Sequence, residues 1–133
     1  DALELPFGDQ SFDGAMVGWG VRNLADLDAG LAEAARVLKP RARLVILEMA
    51  LPRNRLLRSG FQLYFRHIMP LIGRWISGHS TAYSWLPEST RVFPQPRELV
   101  RRMEQQGFTD VYYSLFMGGV CAMHVGTKKY GPQ

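Results

Sequence analysis

Residues 12–50 read FDGAMVGWGVRNLADLDAGLAEAARVLKPRARLVILEMA, and this stretch decides the fold. Phe12 to Trp19 is a short apolar run entered from the turn-like Gly8-Asp9-Gln10-Ser11, which suits a buried strand of a parallel sheet. Leu27, Leu31, Ala34, Ala35 and Leu38 then recur at the spacing of one helical face, and Asp26 or Asp28 can cap its start. Lys39-Pro40 is expected to stop that helix. Arg43 to Ala50 is a second strand, more strongly apolar than the first. Strand, helix and strand in about 40 residues make a βαβ unit, so the chain is expected to be α/β with a right-handed crossover.

After Pro52 the pattern changes. Leu56 to Ile76 is mainly helical, with Phe61, Tyr64, Phe65, Ile68, Met69, Ile72, Trp75 and Ile76 on a broad apolar face, and Pro70 is expected to kink or split it. Gly78 to Thr90 reads as a loop or short helix. Pro96 to Gln106 reads as a helix with proline in its first turn and Gly107 just past its end. Asp110 to Met117 and Val120 to Lys128 are two strands around Gly118-Gly119, a hairpin signal. A helical insertion over about 53–95 thus separates the βαβ unit from a helix and an antiparallel hairpin. A parallel sheet that finishes with an antiparallel hairpin strand is the pattern of the class I methyltransferase fold, a Rossmann-like architecture; fold alone would not establish function.

At 133 residues the chain is at most one domain. An apolar fraction of 47% and a charged fraction of 21% exclude a disordered or collagen-like chain. The net charge of +4 gathers partly in Arg53, Arg55 and Arg58 and in Arg97, Arg101 and Arg102, which read as solvated helix faces more readily than as phosphate or lipid contacts. No nucleic-acid motif accompanies them. One cysteine, Cys121, excludes an internal disulfide and suits a buried thiol in a reducing, cytoplasmic setting. Three scattered histidines without carboxylate spacing give no metal site. No uncharged stretch approaches the roughly 20 residues that span a bilayer. The first residue is not Met and the sequence opens at a strand-to-loop junction, so the chain is expected to be the C-terminal portion of a single domain.

Four segments resemble one family, the ubiquinone/menaquinone biosynthesis C-methyltransferases. Asp1-Ala2-Leu3-Glu4-Leu5-Pro6-Phe7 with Ser11-Phe12-Asp13 resembles a signature common to many methyltransferases. Gly18-Trp19-Gly20-Val21-Arg22-Asn23-Leu24 is similar to the family's "FGxRN" stretch. Arg36-Val37-Leu38-Lys39-Pro40 followed by Arg43 to Glu48 resembles its "RVLKPGGxLxxLE", with Arg41-Ala42 in place of Gly-Gly and Ala50 where a serine often stands. Tyr83-Ser84-Trp85-Leu86-Pro87-Glu88-Ser89 resembles its "YxYLxES" loop. The second and fourth are the more specific, and the resemblance covers all but the last few residues. In that family the glycine-rich cofactor loop and the acidic ribose-binding residue lie upstream of the position of Asp1. The chain holds neither and is expected to bind S-adenosylmethionine poorly in isolation.

The resemblance implies methyl transfer from S-adenosylmethionine to a ring carbon of a polyprenylated quinol, demethylmenaquinol or its benzoquinol counterpart, with the naphthoquinol favoured. It places Asp1 and Ala2 at the adenine and Trp19 and Gly20 beside the cofactor; a turn or cap aspartate is the plainer reading of Asp1. Arg22 and Asn23, past the end of a parallel strand, are where ligands bind in open α/β sheets. Arg22 is the candidate partner of the developing oxyanion, with Asn23 positioning it; a salt bridge fixing the loop is the other reading. Phe61, Tyr64, Phe65 and Trp75 are candidates to line the isoprenoid tail, or are simply core. His67, and more so His79 and Tyr83, are candidates on the substrate side, whereas His124 reads as structural. Two alternatives remain: a methyltransferase of this fold acting on another small molecule, and a membrane-surface or partner-binding module built on Leu56–Ile76. An enzyme acting on such a quinol would sit in the cytoplasm, peripheral to the inner face of a membrane.

Overall fold

The computed structural model describes residues 1–52, 54–72 and 93–131. The βαβ unit is β1 (Phe12–Gly18), α1 (Leu27–Val37) and β2 (Leu38–Met49), with a 3-10 turn at Val21–Asn23. Then come α2 (Arg55–Leu63), α3 (Pro96–Gln105), β3 (Phe108–Phe116) and β4 (Cys121–Lys128). The four strands form one sheet in the order β1-β2-β4-β3, with β1 and β2 parallel and the other neighbours antiparallel. The expected α/β class and closing hairpin are therefore both present.

The core lies on the face covered by α1 and α3. Ala42, Leu44 and Ile46 of β2 meet Leu31 and Ala35 of α1, Leu99 and Met103 of α3, and Phe108 of β3. Alternation along β2 puts every second residue on that face, which is how Glu48, two beyond Ile46, also becomes buried. Asp26 is the cap of α1, its carboxylate accepting from the Ala29 N–H at 3.0 Å.

One expectation is corrected. The second strand begins at Leu38, not Arg43, and runs through Lys39-Pro40. This is possible because β1 pairs Phe12 with Leu38 and then Gly14 with Arg43, so Pro40 falls in a bulge where no ladder needs its missing N–H. Arg41, standing where the resembled family has glycine, holds φ at +67° in that bulge. A left-handed backbone costs a side-chain-bearing residue on the order of 1–2 kcal/mol. Arg41→Gly is therefore expected to stabilise the fold by about 1 kcal/mol, after allowance for glycine's looser unfolded state. The check is a higher urea midpoint at unchanged slope. An unmoved midpoint would mean that contacts of the arginine offset the strain.

At Pro70 one of the two expected outcomes is absent. The helix is not split there: it widens into a π turn at Tyr64–Ile68, where the Met69 N–H reaches back to the Tyr64 carbonyl, and helical backbone continues over 69–72. The wider turn shifts the carbonyl ladder just ahead of the proline, whose ring would clash with a regular one. The expected helical end beyond residue 72 and the loop at 78–90, with Trp75, His79 and Tyr83, lie outside the described residues.

Candidate active site

The carboxyl ends of β1 and β2 lie side by side, with Gly18 opposite Leu47. At the end of β1 the chain turns sharply. Trp19 takes φ of +52° while its N–H still donates to the Leu47 carbonyl at 2.9 Å, and its side chain is exposed. A Cβ on Gly18 would meet nothing within 4 Å, so space is open above the strand end, whereas one on Gly20 would stand 3.2 Å from Val17. The 3-10 turn Val21–Asn23 follows, with Val21 buried beneath it.

Inside this turn the guanidinium of Arg22 meets the carboxylate of Glu48, Nη1 to Oε1 at 2.7 Å, with the side chains 11% and 1% exposed. The same carboxylate accepts from the backbone N–H of Arg22 at 3.3 Å and from that of Met49 at 3.0 Å. Glu48 thus ties the end of β2 to the turn after β1. Nε of Arg22 is buried without a hydrogen-bond partner among the described residues. The Asn23 side-chain amide donates to the Trp19 carbonyl at 3.5 Å, closing the turn on itself. Glu48 was not among the candidates from sequence. A carboxylate closing the otherwise apolar run Leu44–Leu47 was the signal that could have found it, since buried charges are paired.

The opening segment reaches the same end of the sheet. Leu3 and Leu24 pack over Gly30 of α1, where a Cβ would stand 3.5 Å from Leu3 and 2.5 Å from Leu24. Arg36 anchors the rest of the segment, donating to the carbonyls of Phe7 and Leu5 and to the carboxylates of Asp9 and Glu33. The hydrogen bond from Arg36, and then that from the Leu5 N–H, hold the Glu33 carboxyl down to about 2. Asp1 is exposed, and its carboxylate accepts from the Leu3 N–H at 2.9 Å, a turn-forming contact; Ala2 beside it is also exposed. Residues 1–2 and 19–23 are therefore brought to one end of the molecule.

A groove of about 390 Å³ opens beyond the end of β2, lined by Pro52, Leu56, Leu57, Phe61 and Tyr64 on one side and by Met117 and Val120 of the hairpin on the other. Its lining is almost wholly apolar. Phe65 packs against Phe61 with tilted rings, their centroids 4.4 Å apart. Met117, Gly118 and Val120 are lining residues that sequence reading missed. His67 is exposed and outside the lining. His124 is buried, its Nε2 3.0 Å from the Pro96 carbonyl and its ring tilted over Tyr113; burial pushes its pKa down. Burial also pushes the Cys121 thiol up, with the Glu48 carboxylate adding to it. Among the described residues no group of three His, Cys, Asp or Glu could hold a metal, and no helix is long and apolar enough to cross a membrane.

Comparison with known proteins gives a consistent picture. The model of the ubiE/COQ5 methyltransferase family matches residues 1–128. The chain is 46% identical to a demethylmenaquinone methyltransferase of Deinococcus radiodurans over 129 residues, covering 97% of this chain and 53% of that protein. It is 44% identical to one of Bacillus velezensis, with 96% and 55% covered. The chain thus spans about half the length of the curated relatives it matches. Among solved structures, a SAM-dependent methyltransferase of Thermotoga maritima superposes with a TM-score of 0.63 at 20% identity, over 96% of this chain and 61% of that one. At that identity the likeness shows the fold, which is that of S-adenosylmethionine-dependent methyltransferases.

Proposed function

The chain belongs to the ubiE/COQ5 methyltransferase family, and from that premise we propose that it forms the later part of a single methyltransferase domain whose reaction is C-methylation of a polyprenylated quinol, with demethylmenaquinol favoured. The observation that carries this reading is the Arg22–Glu48 pair, a buried and oriented guanidinium at the carboxyl end of the parallel strands, where open α/β sheets bind ligands.

The cofactor would be S-adenosylmethionine, which supplies an electrophilic methyl on a sulfonium. The residues present fit its adenosine side. Open space stands above Gly18, the Trp19 ring is exposed, and Asp1 and Ala2 are held at the same end of the molecule. In this reading the Asp1 carboxylate accepts from the adenine amine, the Ala2 N–H donates to a ring nitrogen, and Trp19 and Gly20 wall the pocket. An aromatic carbon is a weak nucleophile until its neighbouring hydroxyl ionises. The Arg22 guanidinium lowers the energy of that phenolate as a hydrogen-bond donor and not as a base, and Asn23 steadies the turn that aims it. The apolar groove at Phe61 and Tyr64 starts at the same end of the sheet and takes the first isoprene units of the tail. His67, His79 and Tyr83 remain candidates on the quinol side. The setting is cytoplasmic, at the inner face of the membrane that holds the substrate.

The test is calorimetric titration of S-adenosylhomocysteine into the protein expressed from its complete reading frame. Saturable binding is expected, weakened about tenfold by Asp1→Ala through the loss of one hydrogen bond. Absence of binding by the unaltered protein would overturn the cofactor assignment.

A further inference from the structure

Between Glu48 and Glu88 the chain has no acidic residue, yet this stretch holds Arg53, Arg55, Arg58, Arg66 and Arg74. These five charges exceed the net +4 of the whole chain, so everything outside the stretch sums to −1. The basic character of the protein is local.

The same stretch carries apolar surface that nothing among the described residues covers. No residue of α2 is buried. Leu56, Gly60 and Leu63 recur at i, i+4 and i+7, and Leu57, Phe61 and Tyr64 repeat the spacing one residue on, which makes one wide apolar stripe. Arg55, Arg58 and Gln62 fall on the other side of the helix. Leu56 is 82% and Leu63 59% exposed. Beside the stripe stands the β3–β4 turn, where Leu57 lies 3.7 Å from the Cβ position of Gly118 and Met117 is 81% exposed. Exposed Leu71 and Ile72 extend the surface along the continuing helix.

We propose that α2 and the β3–β4 turn form a docking surface for an anionic phospholipid bilayer, with the leucines and Met117 entering the headgroup boundary and the arginines binding lipid phosphates. An amphipathic helix with arginines opposite an apolar stripe, and no acidic residue among them, has the chemistry of such a surface. A second copy of the chain suits it less, because a two-fold contact would set this stretch against itself with no carboxylate to pair the arginines. The surface is continuous with the apolar groove, both using Leu56, Leu57 and Met117. The inference deepens the proposed function and rests on it for one point, that a prenyl tail passes from the bilayer into the groove.

The experiment is sedimentation of the protein, expressed from its complete reading frame, with vesicles of phosphatidylglycerol and phosphatidylcholine and with vesicles of phosphatidylcholine alone. Each protein is also titrated with S-adenosylhomocysteine. Binding to the anionic vesicles is expected to exceed binding to the neutral ones and to weaken with salt. Leu63→Asp should weaken it at least tenfold. Arg55→Gln with Arg58→Gln should weaken it about thirtyfold, from about 1 kcal/mol for each arginine near the surface. None of these changes should alter S-adenosylhomocysteine binding, which also shows that the variants are folded. No preference for anionic vesicles, or undiminished binding by Leu63→Asp, would overturn the proposal. So would a Leu63→Asp variant whose vesicle binding is intact while a dimer falls to monomers. Vesicle binding without S-adenosylhomocysteine binding would instead sink the cofactor reading and leave the surface standing.

Discussion

Glu48→Ala is expected to destabilise the fold by about 3–5 kcal/mol, the cost of leaving one member of a buried ion pair without the other. That is a large part of the roughly 5–15 kcal/mol that holds a domain together. The size follows from what the carboxylate does. Its side chain is 1% exposed, and it serves the Arg22 guanidinium at 2.7 Å and the backbone N–H groups of Arg22 and Met49 at 3.3 and 3.0 Å. Removing it strands a cation that is 11% exposed and two half-buried backbone donors, which water cannot fully reach. Glu48→Gln keeps an acceptor for one or two of these donors and should cost less. Changing both partners together, Glu48→Leu with Arg22→Met, should recover most of the loss, because two apolar side chains of similar volume leave no charge unpaired. The measurement is the urea midpoint of each variant at constant slope. A loss below about 1 kcal/mol for Glu48→Ala would place the pair among solvated surface bridges.

That pair also marks where reading the sequence stopped. The βαβ unit was legible because each of its elements carries its own period: a short apolar run, a helical stripe capped by Asp26, and the run Leu44–Leu47. The hairpin was legible because Gly118 and Gly119 both take positive φ, as a tight turn requires. Pro40 misled because proline stops helices and is rare inside strands; only the bulge opposite Asp13, invisible without the partner strand, makes room for it. The site was harder still. Arg22 and Asn23 could be named from their place after a strand, but Arg22's partner lies 26 residues away on another strand, a relation that exists only once β1 and β2 are paired. The groove was half legible. Phe61 and Tyr64 stood out as a stripe, whereas Met117 and Val120 become its far wall only because the hairpin ends at the carboxyl end of β2, where the Ala50 N–H meets the Val120 carbonyl.

Arg22→Gln in the protein expressed from its complete reading frame is expected to lower kcat by about 10²–10³-fold, the usual cost of removing one oriented donor from a developing oxyanion. The apparent KM for S-adenosylmethionine should change by only a few fold, because the role proposed for Arg22 is toward the quinol and not the adenosine. Stability alone cannot give this result. If Arg22 served only to bridge the turn to β2, Arg22→Gln and Glu48→Gln would remove the same contact, and their kcat values, corrected for the folded fraction, would match. If the guanidinium also faces the quinol oxygen, Arg22→Gln must fall well below Glu48→Gln, since the second leaves the cation in place and merely loosens it. Arg22→Lys separates charge from shape. A lysine keeps the positive charge but loses the planar fork by which, in the proposed arrangement, one edge holds Glu48 while another faces the substrate. It should therefore lie between the arginine and the glutamine enzymes. Equal kcat for Arg22→Gln and Glu48→Gln would assign Arg22 to the scaffold, and the oxyanion's partner would then have to be sought elsewhere in the protein.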